Sequence, residues 1–347
     1  MTERFPWRVP IIAAPMAGGP STLQLVEAVG RAGGLGFVPG GYLSPKAFDE
    51  LLDEADALGV PYGANLFHST RRTGDPAAIA AYAQHLQPLA DEFGTALGDP
   101  AWSDDDYPQK IGIVARHRPA VVSITFGNPT PTEVDGIRSG CGALVAVTVT
   151  SAEEAAAATA VGTDLLVVQG SEAGGHRGIH DDDPAHPFGA PLVPIAALLT
   201  EISGVTSLPL IAAGGIMDGA GIASALRLGA TAAQLGTAFL CTDEAGTSAP
   251  HRAALLERRY DGTVVTRAFS GRPARGLINE FAADHDTDAP SGYPEIHYLT
   301  KPLRGAATAA GSSAAPSLWA GTNWRSVTTG PAADLVRRLA AELDREL

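Results

Sequence analysis

The chain has 347 residues, of which 45% are hydrophobic and 18% are charged, and this composition is typical of a globular protein with one large domain and a smaller one. With 38 acidic and 24 basic residues, the formal charge is −14, which argues against nucleic acid and anionic membranes as partners. The two cysteines, Cys141 and Cys241, match no metal-site spacing.

The start of the sequence has no apolar signal region, and no run is long enough to span a bilayer. We therefore expect a cytoplasmic protein without a membrane partner, either a monomer or a homodimer.

Eight short apolar runs, nearly all separated by helical patterns, occupy the first 240 residues. These predicted strands span residues 9–14, 35–38, 62–67, 120–126, 143–149, 164–168, 208–213 and 231–235. Such alternation indicates a parallel sheet, and eight units over this length favour a closed (β/α)8 TIM barrel. An open doubly wound sheet is the alternative, but it would usually carry G-x-G-x-x-G after its first strand, where residues 15–20 read PMAGGP.

The strand–helix pattern is lost from about residue 241. A helical pattern over residues 250–259, a strand-like run over residues 263–268 and Gly/Pro-rich loops to about residue 311 indicate a smaller α+β domain. We expect this domain, residues 241–310, to be inserted in a barrel of residues 1–240 and 311–347 and to cover the substrate. The last predicted helix, residues 331–347, has an amphipathic period through Leu335, Leu339 and Leu343 and is expected to pack on the barrel.

The predicted strand ends carry the groups of a cofactor site. In a TIM barrel the loops after strands seven and eight commonly bind phosphate, and here they begin with Ala213-Gly214-Gly215 and Gly236-Thr237. A helix starting near Asp218 would add free N–H groups and its dipole. The remaining cofactor candidates are Ala14, Pro15, Met16, Asn65, Gln169, Gly174 and Gly175. Together they predict a phosphorylated, aromatic, redox-type cofactor, and these residues alone do not separate FMN from a nucleotide.

The segment VVQGSEAGGHRG, residues 167–178, carries the candidate catalytic residue, His176. Glycines beside a histidine indicate backbone that a flat molecule approaches closely. The imidazole is the side chain best suited to gain or lose a proton near neutral pH. A glycine-rich surface loop with a solvated histidine is the alternative.

Taken together, these segments resemble the nitronate monooxygenases, once called 2-nitropropane dioxygenases. The matching segments are residues 14–18, 65–67, 168–178, 213–216 and 235–237, followed by 271–276, 293–304 and 320–322, so the resemblance covers nearly the whole chain in order. The segment around His176 is shared with FMN-dependent enoyl reductases of fatty-acid synthesis. Residues 293–301 and 320–322 favour the nitronate enzymes.

The resemblance implies a barrel that binds FMN and oxidises alkyl nitronates, such as propionate 3-nitronate, with O2, releasing nitrite and a carbonyl product. Neither a metal nor a nicotinamide cofactor would be needed, and the expected role is detoxification. His176 would lie over the flavin, as a base toward a neutral nitroalkane or as a hydrogen-bonding partner of the nitro oxygens, and a free pKa of about 6.5 suits either role. Lys301, with Tyr293 and His297, would bind the anionic substrate.

Two positions depart from the family pattern. His297 stands where a second tyrosine is expected, and Asn323 stands where glycine is usual. Both departures put the substrate, rather than the flavin, in question. Two other functions stay open: an FMN-dependent enoyl reductase that uses NAD(P)H, and a flavin-carrying partner protein without turnover.

Other charged residues have simpler interpretations. The acidic residues 181–183 near His180 and His186 are expected to form a solvated loop rather than a metal site. Arg272 and Arg275 are expected to hold the small domain on the barrel through ion pairs.

Overall fold

The computed structural model describes residues 5–68 and 71–347. Its strands are β1 (Ile11–Ala13), β2 (Leu35–Pro39), β3 (Tyr62–Phe67), β4 (Val121–Thr125), β5 (Leu144–Val149), β6 (Leu165–Gln169), β7 (Gly175–His176), β8 (Leu210–Ala213), β9 (Ala230–Leu235), β10 (Thr263–Thr266) and β11 (Ala274–Leu277). Eight of them form a closed parallel barrel in the order β1-β2-β3-β4-β5-β6-β8-β9, which Ile12 closes by pairing with Gln234. The predicted TIM barrel is confirmed, and each predicted strand lies within two residues of an observed one.

Helices connect the barrel strands and surround them. They are α1 (Leu23–Arg31), α2 (Pro45–Asp56), α3 (Pro76–Glu92), α4 (Tyr107–Val114), α5 (Pro131–Cys141), α6 (Ala152–Ala160), α7 (Ile195–Ser203), α8 (Gly219–Arg227), α9 (Ala249–Leu256), α10 (Glu280–His285), α11 (Glu295–Ala309) and α12 (Ala332–Glu346). Several begin at side-chain caps, such as the reciprocal pair of Thr130 and Glu133 at α5. No helix in the described ranges is both long and apolar enough to cross a membrane.

The barrel interior is filled with apolar side chains and closed at its amino end. Ile12, Phe37, Val167 and Ile211 are buried together in one cluster, which Trp7 joins from the segment before β1. A second cluster lies between the strands and the outer helices. It includes Leu335, Leu339 and Leu343 of α12, so the last helix packs on the barrel as predicted.

The layer over the carboxyl ends of the strands is built from two distant parts of the chain. Ile79, Tyr82 and Leu86 of α3 share a buried cluster with Phe269 and Phe281, and with Ile296, Leu299 and Leu303 of α11. We call this layer, α3 with residues 263–309, the cap. A separate domain of residues 241–310 stays a prediction, since the core of this region is shared with α3.

The cap contains helices where the sequence indicated Gly/Pro-rich loops. That expectation was wrong for α10 and α11. Pro302 lies inside α11, where it interrupts the helical signal. The chain that follows α3 packs against this part of α11, where Gly98 N donates a hydrogen bond to the carbonyl of Leu299 at 2.8 Å.

A small antiparallel sheet joins the barrel to the cap. It has the order β10-β11-β7 and places His176 opposite Ala274 and Gly175 opposite Arg275. A two-residue strand such as β7 has no detectable periodicity, so the sequence predicted only a loop there. The pairing fixes the backbone that carries the candidate catalytic residue.

Candidate active site

The barrel opens at the carboxyl ends of its strands into a cavity of about 950 Å³. This volume is at the upper end of the roughly 300–1,000 Å³ of ligand pockets. Every predicted cofactor residue lines the cavity: Ala14, Pro15, Met16, Asn65, Gln169, Gly174, Gly175, Ala213, Gly214, Gly215, Gly236 and Thr237. His176, His297 and Lys301 line it too, while Tyr293 lies behind Tyr42. The predicted cofactor residues therefore line one cavity, while their roles stay predictions.

Glycine turns form one corner of the cavity, at the ends of β8 and β9. Gly214 and Gly215 have φ angles of +123° and +68°, which residues other than glycine rarely adopt. Gly236 has an ordinary φ of −104°, and a Cβ there would come no closer than 3.7 Å to Ala14. The space above Gly236 is therefore free of protein atoms and is available to a ligand.

The start of α8 does not provide the anion site that the sequence suggested. Asp218 Oδ1 accepts from the N–H of Gly221 at 2.8 Å, and Glu342 Oε2 of α12 accepts from the N–H of Gly219 at 2.9 Å. Two carboxylates thus already occupy the positive end of this helix. An anion in this corner would be bound by the glycine turns that precede α8.

Residues 320–323 form the wall of the glycine corner. Gly321 N donates to Thr237 Oγ1 at 3.0 Å, and Asn323 Nδ2 donates to the carbonyl of Gly215 at 2.6 Å. A Cβ on Gly174 would lie 2.5 Å from the carbonyl carbon of Ala320. Gly174 is therefore needed for a contact within the protein. Asn323 therefore contacts the glycine corner, and the effect of this departure on the substrate stays a prediction.

Two amide side chains that the sequence analysis selected line the cavity with different roles. Asn65 Nδ2 donates to Ser123 and Thr125, which orients the amide and leaves its Oδ1 without a hydrogen bond to any described residue. Gln169 donates to the carbonyl of His176 at 3.0 Å and accepts from Gly178 N at 2.7 Å. Gln169 therefore uses its polar atoms to hold the His176 loop.

Gln234 of β9 is a cavity residue that the sequence analysis missed. Its Oε1 is buried and has no hydrogen-bond partner among the described residues. A buried polar atom without a protein partner is unfavourable, so Gln234 favours a ligand that carries a donor.

The imidazole of His176 is held by Ser270. His176 Nε2 lies 2.8 Å from Ser270 Oγ, and this hydroxyl is 3.2 Å from the carbonyl oxygen of Arg272. The hydroxyl has a single hydrogen, so a hydroxyl that donates to this carbonyl accepts from Nε2 of the ring. The Nδ1 atom is left unprotonated, and no described residue binds it.

The surroundings of His176 keep its ring neutral. The rings of Phe126, Tyr293 and Trp319 lie 6.0, 5.6 and 5.4 Å from it, centroid to centroid. Burial among these rings, with a smaller effect from nearby arginines, lowers the pKa of His176 to about 3. The pKa of about 6.5 cited in the sequence analysis is that of a free imidazole, and the sequence does not show the desolvation that lowers it here.

The cap contributes a second polar group on α11. The ring of His297 stacks on Tyr42 at 4.0 Å between centroids with an interplanar angle of 3°, and Tyr293 Oη donates to Tyr42 Oη at 3.2 Å. Arg304 Nη2 donates to His297 Nδ1 at 3.2 Å and to its carbonyl at 3.0 Å. Lys301 is exposed on the same helix at the rim of the cavity.

Comparison with known proteins agrees with this geometry over the full chain. The family model described as "Nitronate monooxygenase" matches residues 3–342. A nitronate monooxygenase of Pseudomonas aeruginosa is 38% identical, with 99% of each chain covered, and one of Paraburkholderia phytofirmans is also 38% identical, with 97% of this chain and 93% of the relative covered.

The chain belongs to the nitronate monooxygenase family.

Solved structures agree with this assignment. The nitroalkane oxidase of Streptomyces ansochromogenes superposes with a TM-score of 0.94 at 42% identity, with 98% of this chain and 97% of that chain covered. FabK of Thermotoga maritima superposes with a TM-score of 0.75 at 23% identity, with 98% and 94% covered, which shows a shared fold. The resemblance seen in the sequence motifs is confirmed.

In this member of the nitronate monooxygenase family, Tyr42, Gln234, Ser270 and Arg304 are the site residues that sequence reasoning missed. One signal could have found Arg304: it follows His297 by seven residues, which places both on one helical face. Tyr42, Gln234 and Ser270 carry no comparable local signal. Long-range packing brings Tyr42 and Gln234 to the cavity and places Ser270 against the ring of His176.

Two expectations about charged residues were wrong in part. Asp181 and Asp183 are exposed as expected, but Asp182 is buried and pairs with the buried Arg267 at 2.6 Å. Arg272 and Arg275 do hold cap to barrel, but through backbone carbonyls rather than ion pairs: Arg275 Nε, for example, donates to the carbonyl of Ser171 at 2.9 Å. The described residues contain no cluster able to hold a metal ion.

Proposed function

We propose that this protein is an FMN-dependent nitronate monooxygenase that oxidises an anionic alkyl nitronate with O2 to nitrite and a carbonyl product. The observation that carries the proposal is the position of His176, whose neutral imidazole lines a cavity with a glycine-turn corner and room for a flavin. Similarity over the full chain to relatives named nitronate monooxygenase supports it.

The residues of the cavity fit flavin mononucleotide. The turns at Gly214-Gly215 and Gly236-Thr237 would hold its phosphate, because glycine lets an anion approach the backbone N–H groups. Asn65 Oδ1 and the unpartnered Gln234 Oε1 would accept hydrogen bonds from donors of the ring. When bound, the flavin would supply the electron acceptor that a nitronate and O2 need in order to react.

His176 is suited to a substrate that arrives already deprotonated. Its Nδ1 is a weak base at a pKa of about 3, so removal of a proton from a neutral nitroalkane would be slow. A nitronate needs no such step. An anion bound beside the ring would raise the pKa of His176, because opposite charge stabilises the imidazolium, and Nδ1–H could then donate to a nitronate oxygen.

The direct test is the reaction itself. We expect purified protein to be yellow and to consume O2 with propionate 3-nitronate, releasing nitrite without NAD(P)H. Rapid reduction of the flavin by NADPH would instead support an enoyl reductase. A coloured protein inert with every nitro compound and enoyl thioester would indicate a flavin carrier. Colourless protein that cannot be reconstituted with FMN would refute all three.

Replacement of His176 separates its two possible roles. His176→Asn is expected to retain FMN. A greater loss of turnover for neutral nitroalkanes than for nitronates would assign His176 the role of base, because only the former need one, whereas the low pKa of the ring predicts similar losses for both. Equal losses for both substrate classes would contradict the base role. The measurement is kcat/KM for nitroethane and for ethylnitronate, each at the same pH.

We propose the cytoplasm as the location and removal of reactive nitronates as the role. Cys141 and Cys241 are both free thiols, as suits a reducing compartment.

A further inference from the structure

Arg304 is a positive charge that no carboxylate neutralises in the described part of the chain. Its Nε donates to Thr300 Oγ1 at 3.0 Å, Nη1 to Ser317 Oγ at 3.3 Å, and Nη2 to His297. All these partners are neutral. Arg304 is partly buried and lines the cavity, and burial lowers its pKa to about 10.

Other buried arginines show that this arrangement is particular to Arg304. Arg267 makes a two-pronged ion pair with Asp182, with N···O distances of 2.6 and 2.7 Å. Arg272 lies 4.0 Å over the ring of Phe126, donates to two backbone carbonyls and is absent from the cavity wall. Arg304 alone of the three combines an uncompensated charge with access to the cavity. A buried cation without a counterion is unfavourable, so the free protein is ready for an anion.

His297 places a second donor beside Arg304. A guanidinium can only donate, so His297 Nδ1 is the acceptor and its ring hydrogen is on Nε2. This Nε2 is buried and has no hydrogen-bond partner among the described residues, on a side chain that is 8% exposed and lines the cavity. Burial, then Arg304, lowers the pKa of His297, which keeps the ring neutral. An oxygen atom of a ligand would satisfy this donor.

We propose that Arg304 and His297 form a carboxylate-binding subsite that selects a substrate with an acidic group in addition to its nitronate. The planar guanidinium fork matches the two oxygens of a carboxylate, and His297 Nε2–H adds a third donor. Lys301, exposed at the rim, attracts the same group at longer range in a protein of charge −14. The nitronate end then reaches His176. This proposal rests on the proposed function.

Binding of succinate tests the subsite without turnover. Succinate has two carboxylates at about the spacing of the carboxylate and nitronate of propionate 3-nitronate, and it cannot be oxidised in this way. We expect calorimetry on the FMN-loaded protein to show that Arg304→Met lowers the affinity for succinate at least tenfold. His297→Phe, which keeps an aromatic ring stacked on Tyr42, should lower the affinity for succinate about threefold. Arg337→Met, on the exposed face of α12, is the matched control and should leave the affinity for succinate unchanged. Unchanged affinity in Arg304→Met would overturn the proposal.

Kinetics with two nitronates test the selectivity. For Arg304→Met we expect kcat/KM for propionate 3-nitronate to fall at least tenfold, mostly through KM, and kcat/KM for propyl-1-nitronate to change less than threefold. Equal losses would mean that Arg304 binds the nitronate and would overturn the proposal. If neither nitronate reacts with the unmodified protein, the proposed function fails, whereas the succinate experiment still decides the subsite.

Stability distinguishes binding from a structural role. Removing a buried, uncompensated charge should leave the urea midpoint of Arg304→Met unchanged or higher. A lower midpoint together with retained succinate affinity would assign Arg304 to the fold and overturn the proposal. If Arg304→Met does not fold, Arg304→Lys replaces it: the charge without the fork should give an intermediate succinate affinity, and wild-type affinity would count against the subsite.

Discussion

His176 Nε2 and Ser270 Oγ lie 2.8 Å apart although 94 residues separate them in the chain. The bond joins the loop after β6 to the segment between β10 and β11, so the cap fixes which ring nitrogen of His176 carries the hydrogen. The geometry of the proposed catalytic atom, Nδ1, therefore depends on the cap as well as on the barrel.

Loss of the Ser270 hydroxyl should reduce activity through His176. We expect Ser270→Ala to lower kcat/KM for nitronates about five- to tenfold, in line with a net hydrogen-bond contribution of about 1 kcal/mol. Nitrogen NMR of the imidazole should show a mixture of tautomers in place of one. Ser313→Ala, a buried serine that bonds Tyr260 outside the cavity, is the matched control and should keep kcat/KM. A single unchanged tautomer in Ser270→Ala would contradict this role.

Buried histidines should make the protein sensitive to mild acid. Burial lowers the pKa of His176 to about 3 and that of His251 to about 4, and the pKa of His297 is also well below its usual value. His68 and His285 shift in the same direction. Below pH 6.5 the unfolded chain binds protons that the native ring excludes, so the stability present at neutral pH is lost as the pH falls toward 4. Each fully buried histidine contributes about 1.4 kcal/mol per pH unit.

The acid effect can be measured by urea unfolding between pH 5 and pH 7. His251→Leu removes one buried ring with a lowered pKa, so the free energy of unfolding should fall less steeply over this range, by up to about 1.4 kcal/mol per pH unit. An unchanged slope would show that His251 is protonated in the native protein.

A methyl group on Gly236 should affect the cofactor rather than the fold. Its φ of −104° suits alanine, and a Cβ would make only ordinary contacts, at 3.7 Å from Ala14 and 3.8 Å from Met16. We expect Gly236→Ala to unfold like the unmodified protein without FMN and to bind FMN at least tenfold more weakly, measured by flavin fluorescence. Gly112→Ala is the control: a Cβ at this position of α4 would have no atom within 4 Å, so the affinity for FMN should not change. Unchanged affinity in Gly236→Ala would place the phosphate elsewhere.

The buried pair Asp105–Lys110 should be essential for stability. The two charged groups lie 2.8 Å apart, and the Lys110 side chain is 1% exposed. Asp105 Oδ1 also accepts from Tyr42 N at 2.8 Å, which holds Tyr42 at its φ of +67°. Lys110→Met should cost about 3–5 kcal/mol because it leaves a buried carboxylate unpaired. Burial raises the pKa of Asp105, so protonation would recover part of this loss at lower pH.

A double-mutant cycle checks the pairing of Asp105 with Lys110. Adding Asp105→Asn to Lys110→Met should recover at least 1 kcal/mol in urea unfolding, because no unpaired charge then remains. Additive losses from the two substitutions would show that the groups act independently.

The sequence by itself determined the barrel and most of the cavity wall. Eight apolar runs with intervening helical patterns are a local signal, and parallel strands in a closed barrel all end at the same mouth. Residues as distant as Met16, Asn65, Gly175 and Gly236 could therefore be assigned to one site without knowing any contact. Similarly, the apolar period of α12 predicted its packing, because the spacing of apolar residues along a helix defines the face that is buried.

Only the tertiary structure decided the properties that depend on burial and on distant partners. The low pKa of His176 comes from the rings and arginines around it, and its tautomer comes from Ser270. Asp182 is an ion-pair partner because Arg267 reaches it across 85 residues, and Arg304 is uncompensated because the cap brings no carboxylate near it in the described chain. Desolvation and charge pairing depend on residues that are close in space but distant in the chain, so neither produces a periodic pattern in the local sequence.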